Sequence, residues 1–543
     1  MSRMTSPSAT YEGGDGPPDR GMVMTTVEQA PGGDVTEPGR GGKGWLMAGL
    51  GVGAALLIGG GAYAAVQFLG TDDAQPESVL PAGAAVYLRV DVDPSVGQKV
   101  AAVRFFQGLD PQMQAALESG EWREYVWDTL AEEGRAPAGL DYATDVEPWL
   151  GDRAGVAVVP DGEEQPIVAM ALQVKDGDKA LTSLDRVMAS RADGPEDEQL
   201  EYYLDGDYVI LTQVGQADKV KAAAEQGTLD EQETFTQDME DLGDPGVASF
   251  WVDMARAAEI DPGALEEAAA AGGAPSAVTR QLTDEQKALL SGRAAGALRL
   301  SPDAVEIHGV SRGHDAMTMP TGDSAHLVLD LPADTKAAFS LENGADWVQA
   351  AWDLYDTLDP TITEGLTTEA ADLGLTLPDD LKTVLGDSMT LSVGPGMAEA
   401  VRAMSGTEAL ALPELPVAYR VQTDTTAVNT LLQGLGLPPT MLAQRTDEGV
   451  LTLGLVQGYV DGVASPEGRL ADQEAFTAAV ADADEADQLL FVDVSEYEDL
   501  YLPEVTDENA RTALEKLRAV GWSTVVTGAD EGRFTMRFIA DEE

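Results

Sequence analysis

The chain repeats its own landmarks in the same order. The stretch "LDEQETFTQDM" at Leu229–Met239 returns as "LADQEAFTAAV" at Leu470–Val480, and "WLGD" at Trp149–Asp152 returns as "VLGD" at Val384–Asp387. A short apolar strand follows each of the latter pair, "AGVAVV" in one case and "SMTLSV" in the other. "SFWVDM" ending at Met254 matches "LLFVDV" ending at Val494, and "VLPAGAAVYLRVDV" from Val79 has a weaker echo in "DLPADTKAAFSLEN" from Asp330. The offsets are all roughly 235 to 250 residues, a period long enough for a whole domain rather than a solenoid repeat. Two copies of one fold are therefore expected, at residues 74–312 and 324–541, with 313–323 as the linker.

Within each copy, hairpins alternate irregularly with helices. "AVYLRVDV" (Ala85–Val92), "IVAMALQV" (Ile167–Val174) and "YYLDGDYVILTQV" (Tyr202–Val214) read as strands, the last broken by an Asp-Gly turn. Val96, Val100, Val103 and Phe106 recur at helical spacing after "DPS", and Trp347, Ala351, Leu354, Tyr355 and Leu358 form a similar stripe. The pairs "AGALRL" with "AVEIHGV" and "STVVTG" with "GRFTMRFI" read as closing hairpins. Without regular β-α-β units, the pattern predicts an α+β fold: two similar antiparallel-sheet-plus-helix domains. The aromatic stripes read as core.

Trp45–Leu69 ("WLMAGLGVGAALLIGGGAYAAVQFL") carries no charge over its length. As a helix it would span roughly 37 Å at ~1.5 Å per residue, more than the ~30 Å hydrocarbon core of a bilayer. Arg40 and Lys43 precede it, Asp72 and Asp73 follow, and the next basic residue is Arg89. The positive-inside rule then predicts a single-pass anchor with a cytoplasmic N-terminus and the C-terminal part outside the cell membrane. Ala62-Tyr63-Ala64 resembles a cleavage site, but the preceding tail is too long and too acidic for a signal peptide. Gly49 and Gly53 form a weak helix-pairing pattern. Residues 1–44, rich in Gly, Pro, Ser, Thr and Asp, read as a disordered cytoplasmic tail. Thr25 and Thr26 are the kind of sites such tails offer for phosphorylation.

The formal net charge is −62, from 95 acidic and 33 basic residues. Such a surface repels phosphate backbones and argues against nucleic acid as a partner. There is no cysteine, which excludes disulfides, thiol nucleophiles, iron–sulfur clusters and cysteine zinc sites.

One motif invites a catalytic reading. "GVSRG" around Ser311 is a G-x-S-x-G, but the strand before it is followed by "RGHDAMTMPTGDS", which has no helical periodicity. A nucleophile elbow needs a helix there to hold the oxyanion, so Ser311 reads as a coincidence at a strand exit. The three histidines, His308, His314 and His326, lie close in sequence with Asp315 and Asp323 nearby, but match no metal spacing, and His308 alternates so as to face solvent. The acidic runs Asp482–Asp487 and Asp91–Ser95 lack the glycine and terminal glutamate of an EF-hand and read as solvated faces. No residue is assigned a catalytic, cofactor-binding or metal-ligating role, and no cofactor is expected.

The region "QPESVLPAGAAVYLRVDVDPSVGQKVAAVRFF" resembles the actinobacterial membrane proteins grouped as domain of unknown function thirty-three fifty-two. The resemblance rests on the Leu-Pro before the strand, Tyr87 within it, the turn of Asp91, Asp93 and Pro94, and Gly97 and Lys99, with the "WLGD" and Q-E-x-F elements in support. It implies an actinobacterial cell-envelope protein and no particular reaction. The expected function is a membrane-anchored binding or interaction module, taking an envelope protein, a peptide or a small amphiphile in a cleft between the copies. The alternative is an envelope enzyme using acidic residues, with or without a divalent cation.

Overall fold

The structure is a computed structural model. It describes residues 75–91, 115–116, 119, 121–132, 141–162, 165–191, 200–260, 291–301, 303–313, 318–322, 325–405, 415–437, 441–506 and 508–540. The stretch Trp45–Leu69, the tail before it and the helical pattern Val96–Phe106 lie outside the described residues. Among the described residues, no helix is long and apolar enough to cross a membrane.

Sixteen strands form one sheet. The first eight are β1 (Val86–Asp91), β2 (Leu150–Val159), β3 (Ile167–Val174), β4 (Leu200–Asp205), β5 (Tyr208–Gln213), β6 (Ala248–Asp253), β7 (Arg293–Leu300) and β8 (Ala304–Arg312). The second eight are β9 (Ala337–Glu342), β10 (Ser388–Val393), β11 (Val417–Gln422), β12 (Ala443–Asp447), β13 (Val450–Gly454), β14 (Gln488–Asp493), β15 (Leu517–Gly528) and β16 (Glu531–Ala540). Their order across the sheet is β12-β13-β11-β10-β9-β14-β15-β16-β8-β7-β6-β1-β2-β3-β5-β4. All of these neighbours pair antiparallel.

This corrects the expected architecture of two separate domains behind a membrane helix. β8 and β16 pair without interruption from Ala304↔Ile539 to Arg312↔Glu531, so the ladder runs through the middle of the molecule. No gap is left there for a cleft, because unpaired strand edges are satisfied by one another. Gly313 and Met319 donate backbone hydrogen bonds to Asp530 and Ala529, tying the chain beyond β8 to the β15–β16 turn. Read outward from that seam, the strand order is the same on both sides: the last, second-last and third-last strands of each half, then its first, second and third, with the fifth and fourth at the far edge.

Helices cover both faces. Those that carry the packing are α1 (Gly177–Arg191), α2 (Ala217–Ala224), α3 (Glu233–Leu242), α4 (Gly344–Leu358), α5 (Pro360–Asp372), α6 (Asp379–Leu385), α7 (Thr425–Gly434), α8 (Gln457–Ala464) and α9 (Glu474–Ala479). On one face Tyr87, Ala157, Ala169 and Tyr208 pack against Val220 of α2 and Phe235 of α3. Ala338, Ala418, Leu489 and Phe491 do the same with Val463 of α8 and Phe476 of α9. Val310 and Ala304, an even number of residues apart on β8, join these two clusters, which places both on one side of the sheet. The opposite side packs on α1 in the first half and on α6 and α7 in the second.

The recurring Q-E-x-F elements become visible as anchors. Each starts its helix, α3 or α9, and drives a phenylalanine into the core: Phe235 lies edge-on to Trp251 at 5.6 Å and to Tyr87 at 5.3 Å, Phe476 edge-on to Phe491 at 5.3 Å. Such edge contacts contribute about 0.5–1.5 kcal/mol beyond area burial. Leu229 and Leu470, just before, each donate a backbone hydrogen bond to Leu80 and Leu331 of the two Leu-Pro turns. At Gly521 of β15 helix α9 comes so close that a Cβ would stand 2.2 Å from the Ala479 carbonyl oxygen. The β12–β13 hairpin turns on Glu448 and Gly449, both at positive φ as a type I′ turn requires.

Candidate functional site

The two halves differ at the charged positions of β1 and β2 and their counterparts β9 and β10. In the first half, β1 sends Tyr87, Arg89 and Asp91 to the α3/α9 face, and Asp91 lies directly across from Arg153 of β2. Arg89 donates from Nε at 3.1 Å to Oδ1 of Asp91 and from Nη2 at 2.9 Å to Oδ2. Asp91 is buried, and burial pushes its carboxyl above the ordinary value while Arg89 pulls it back.

In the second half, β9 sends Ala338, Ser340 and Glu342 to that face, and Glu342 lies across from Ser388 of β10. The carboxylate is kept, and serines stand where the first half has Arg89 and Arg153. Ser340 Oγ donates to Glu342 Oε1 at 3.0 Å. Glu342 Oε2 is buried without a hydrogen-bond partner, and so are Ser388 Oγ and Thr390 Oγ1. Glu342, Ser388 and Thr390 are all 0% exposed. Burial pushes the Glu342 carboxyl up, against the smaller opposing pull of the serine hydroxyls and His326. Asp487, beside it, is likewise pushed up by burial, with Val526 N–H donating to Oδ2 at 2.7 Å. Unpartnered buried polar atoms are costly and few in folded proteins, so this concentration marks the place.

Two recesses adjoin the same strands. An open cleft of about 470 Å³ is lined by Lys382, Gly386, Asp387, Gln422, Asp424 and Gly449. A smaller recess of about 140 Å³ is lined by Arg420, Arg445, Asp447, Glu448 and Thr452 among others. Arg420 is held by its Nη1 bond to the Leu327 carbonyl, with Asp330 and Asp447 as its nearest influences.

A third feature lies on the opposite side. Helix α5 buries Thr363 and Ala370 and turns Ile362 and Leu366 outward, 39% and 44% exposed; Leu373 follows at 66%. Tyr355 of α4 is exposed beside them. The stripe expected to be core along α4 is only half-buried at Trp347, Ala351, Leu354 and Leu358.

The residues singled out in the sequence fall elsewhere. Ser311 is an interior residue of β8, paired with Ala294 and Gly532, and Arg312 continues the strand. Among the described residues no helix follows, and Ser311 lies within the strand rather than at a turn, which is not the geometry of a nucleophile elbow. His308 does not face solvent: it is half-buried, its Nδ1 lies 2.9 Å from Thr535 Oγ1, and burial lowers its pKa. His314, Asp315 and Asp323 lie outside the described residues, and so do residues 92–95 of the second acidic run. Among the described residues, no group of three His, Asp or Glu side chains is arranged to hold a metal ion. Asp482 and Glu485 of the first acidic run pair with Arg533. Glu342 went unnoticed in the sequence. Its signal was the run of alternating hydroxyls, Ser388, Thr390 and Ser392, where the corresponding strand reads "AGVAVV".

Residues 45–204 match the family described as "Protein of unknown function (DUF3352)". The match ends within β4 and so takes in β1, β2, β3 and most of β4 but not β5, which lies between β3 and β4 in the sheet; it includes Asp91 and Arg153 but not Glu342. No curated protein and no solved structure matches the chain.

Proposed function

We propose that this protein is an interaction module of the cell envelope, docking a partner segment through the apolar surface of helix α5. The observation that supports it is the inverted helix: small and polar side chains point inward, while Ile362, Leu366 and Leu373 point out. An exposed apolar surface of this kind is what partner binding uses. Its rim supplies the partner's chemistry. There is no basic residue between Lys336 and Lys382, and Asp353, Asp356, Glu364, Glu369 and Asp372 are exposed around it. The occupant is therefore an amphipathic segment with an apolar stripe flanked by Lys or Arg. A second copy of this chain would bring like charge against like. The charge-free stretch Trp45–Leu69 supports placement at the membrane, with the sheet outside the cell, and the resemblance supports an actinobacterial source.

The test uses two synthetic helical peptides with the same leucine stripe, one flanked by lysines and one by glutamates. In fluorescence anisotropy the lysine peptide is expected to bind the full-length chain, more weakly as salt rises. Leu366→Glu should weaken it at least tenfold. Equal binding of both peptides, binding unchanged by Leu366→Glu, or self-association through this surface would overturn the reading.

A further inference from the structure

We infer that the space around Glu342 is a binding site for a small organic cation with a guanidinium or primary-ammonium head. It is separate from the α5 surface and does not depend on it.

The first half of the sheet shows what such a place holds when filled. At matching register, Asp91 has Arg89 on its own strand and Arg153 across from it, so guanidinium groups occupy the space beside the carboxylate. In the second half both positions are serines, Ser340 and Ser388, and the carboxylate remains. What is left is a buried acceptor, Glu342 Oε2, next to the buried hydroxyls of Ser388 and Thr390; Ser388 stands near enough to pull on the carboxylate, but none of the three atoms reaches good hydrogen-bond geometry. One carboxylate oxygen and two hydroxyls converging from adjacent strands match the donors of a guanidinium or ammonium head. They lack the three acidic or imidazole ligands of a divalent metal site.

The charges facing this space agree. His326 approaches from the segment before Leu327 and Asp487 from the start of β14, both near enough to influence Glu342 or each other. Arg420 on β11 lies across from Thr390 and donates from Nη1 to the Leu327 carbonyl, with Asp330 and Asp447 as its nearest acidic influences, and Lys336, at the far end of β9, is paired with Asp493 at 2.9 Å. Neither cation is among the groups that act most strongly on Glu342. Asp387, which precedes Ser388, and Gln422, its partner on β11, line the open cleft together with Asp424, giving an acidic approach next to the site. Because burial favours the protonated acid, a cation entering here displaces a proton, and its affinity should rise with pH.

The experiment is calorimetric titration of the full-length chain in mild detergent with methylguanidinium, methylammonium and tetramethylammonium. The first two should bind saturably at one site, more tightly at pH 8 than at pH 5, and tetramethylammonium, which has no N–H, should not. Glu342→Gln should weaken binding at least tenfold. Ser388→Arg, which restores the first half's own occupant, should abolish binding and raise Tm. Absence of saturable binding, equal binding of tetramethylammonium, or affinity unchanged in Glu342→Gln would overturn the inference. So would a thermal stability that follows pH identically with and without methylguanidinium, since a proton alone would then fill the site.

Discussion

Glu342 and Ser388 face each other across β9 and β10, both fully buried, at the register where the first half of the sheet sets Asp91 against Arg153. Burial raises the carboxyl in both halves, but at Asp91 the pull of Arg89 and Arg153 works against it, and at Glu342 only hydroxyls and His326 do.

Burial raises the pKa of Glu342 in the folded chain, so the fold holds that proton more tightly than the unfolded chain does. Above the ordinary value of 4.5, the unfolded state ionises first and stability falls until Glu342 itself ionises. Glutamine does not titrate. Glu342→Gln should therefore show a higher Tm than the parent at pH 7, with the advantage vanishing below about pH 4.5. Asp91 and Asp487 titrate in both proteins and cancel from the comparison. Parallel Tm curves from pH 4 to 8 would contradict this account.

Asp238 is the reverse case, a buried carboxylate with every partner in place. Trp251 Nε1 donates to it at 2.8 Å, and Arg293 and Arg312 approach within 2.7 and 3.2 Å. Asp238→Asn should cost roughly 3–5 kcal/mol, because the half-buried Arg293 guanidinium loses its counter-charge and Arg312 keeps only the more exposed Asp241. Urea unfolding followed by tryptophan fluorescence measures it, and a loss below 1 kcal/mol would show that solvent reaches the pair.

Phe235 and Phe476 occupy corresponding places in the two halves, and truncating either to alanine should cost roughly 3–5 kcal/mol. One continuous sheet predicts more than the magnitude. Both substitutions should lower the same cooperative transition in scanning calorimetry, rather than split it into a stable and a weakened half. Two resolved transitions in Phe476→Ala would show that the β8–β16 ladder does not couple the halves.

Much of this fold was legible because its devices are local. The Asp-Gly turn at Asp205 and Gly206 announced the β4–β5 hairpin, and the alternation in "AVYLRVDV" and "IVAMALQV" announced β1 and β3. The Q-E-x-F elements announced the anchors Phe235 and Phe476. What could not be read was how the halves meet. Pairing between Val305 and Phe538 joins residues far apart in the chain, and no composition marks one edge strand as the mate of another. The same limit hid Glu342. Alternating hydroxyls at Ser388, Thr390 and Ser392 look like a solvated face, and only helices α8 and α9 and the turn through Leu331, packed over that side, make it an interior one. His308 was misread for the same reason.

The seam between β8 and β16 also sets an order of events during synthesis. His308 and its neighbour Thr535 are 227 residues apart in the chain. At about 5–20 residues per second, β8 waits roughly 10–45 s on the ribosome for the strand that covers it. During that interval its unpaired edge is open to any other strand, including β8 of a neighbouring nascent chain. Glu306, His308 and Arg312 stand along that edge, and each later finds its role in the closed sheet. Before closure, these polar and charged side chains discourage the wrong strand from arriving first.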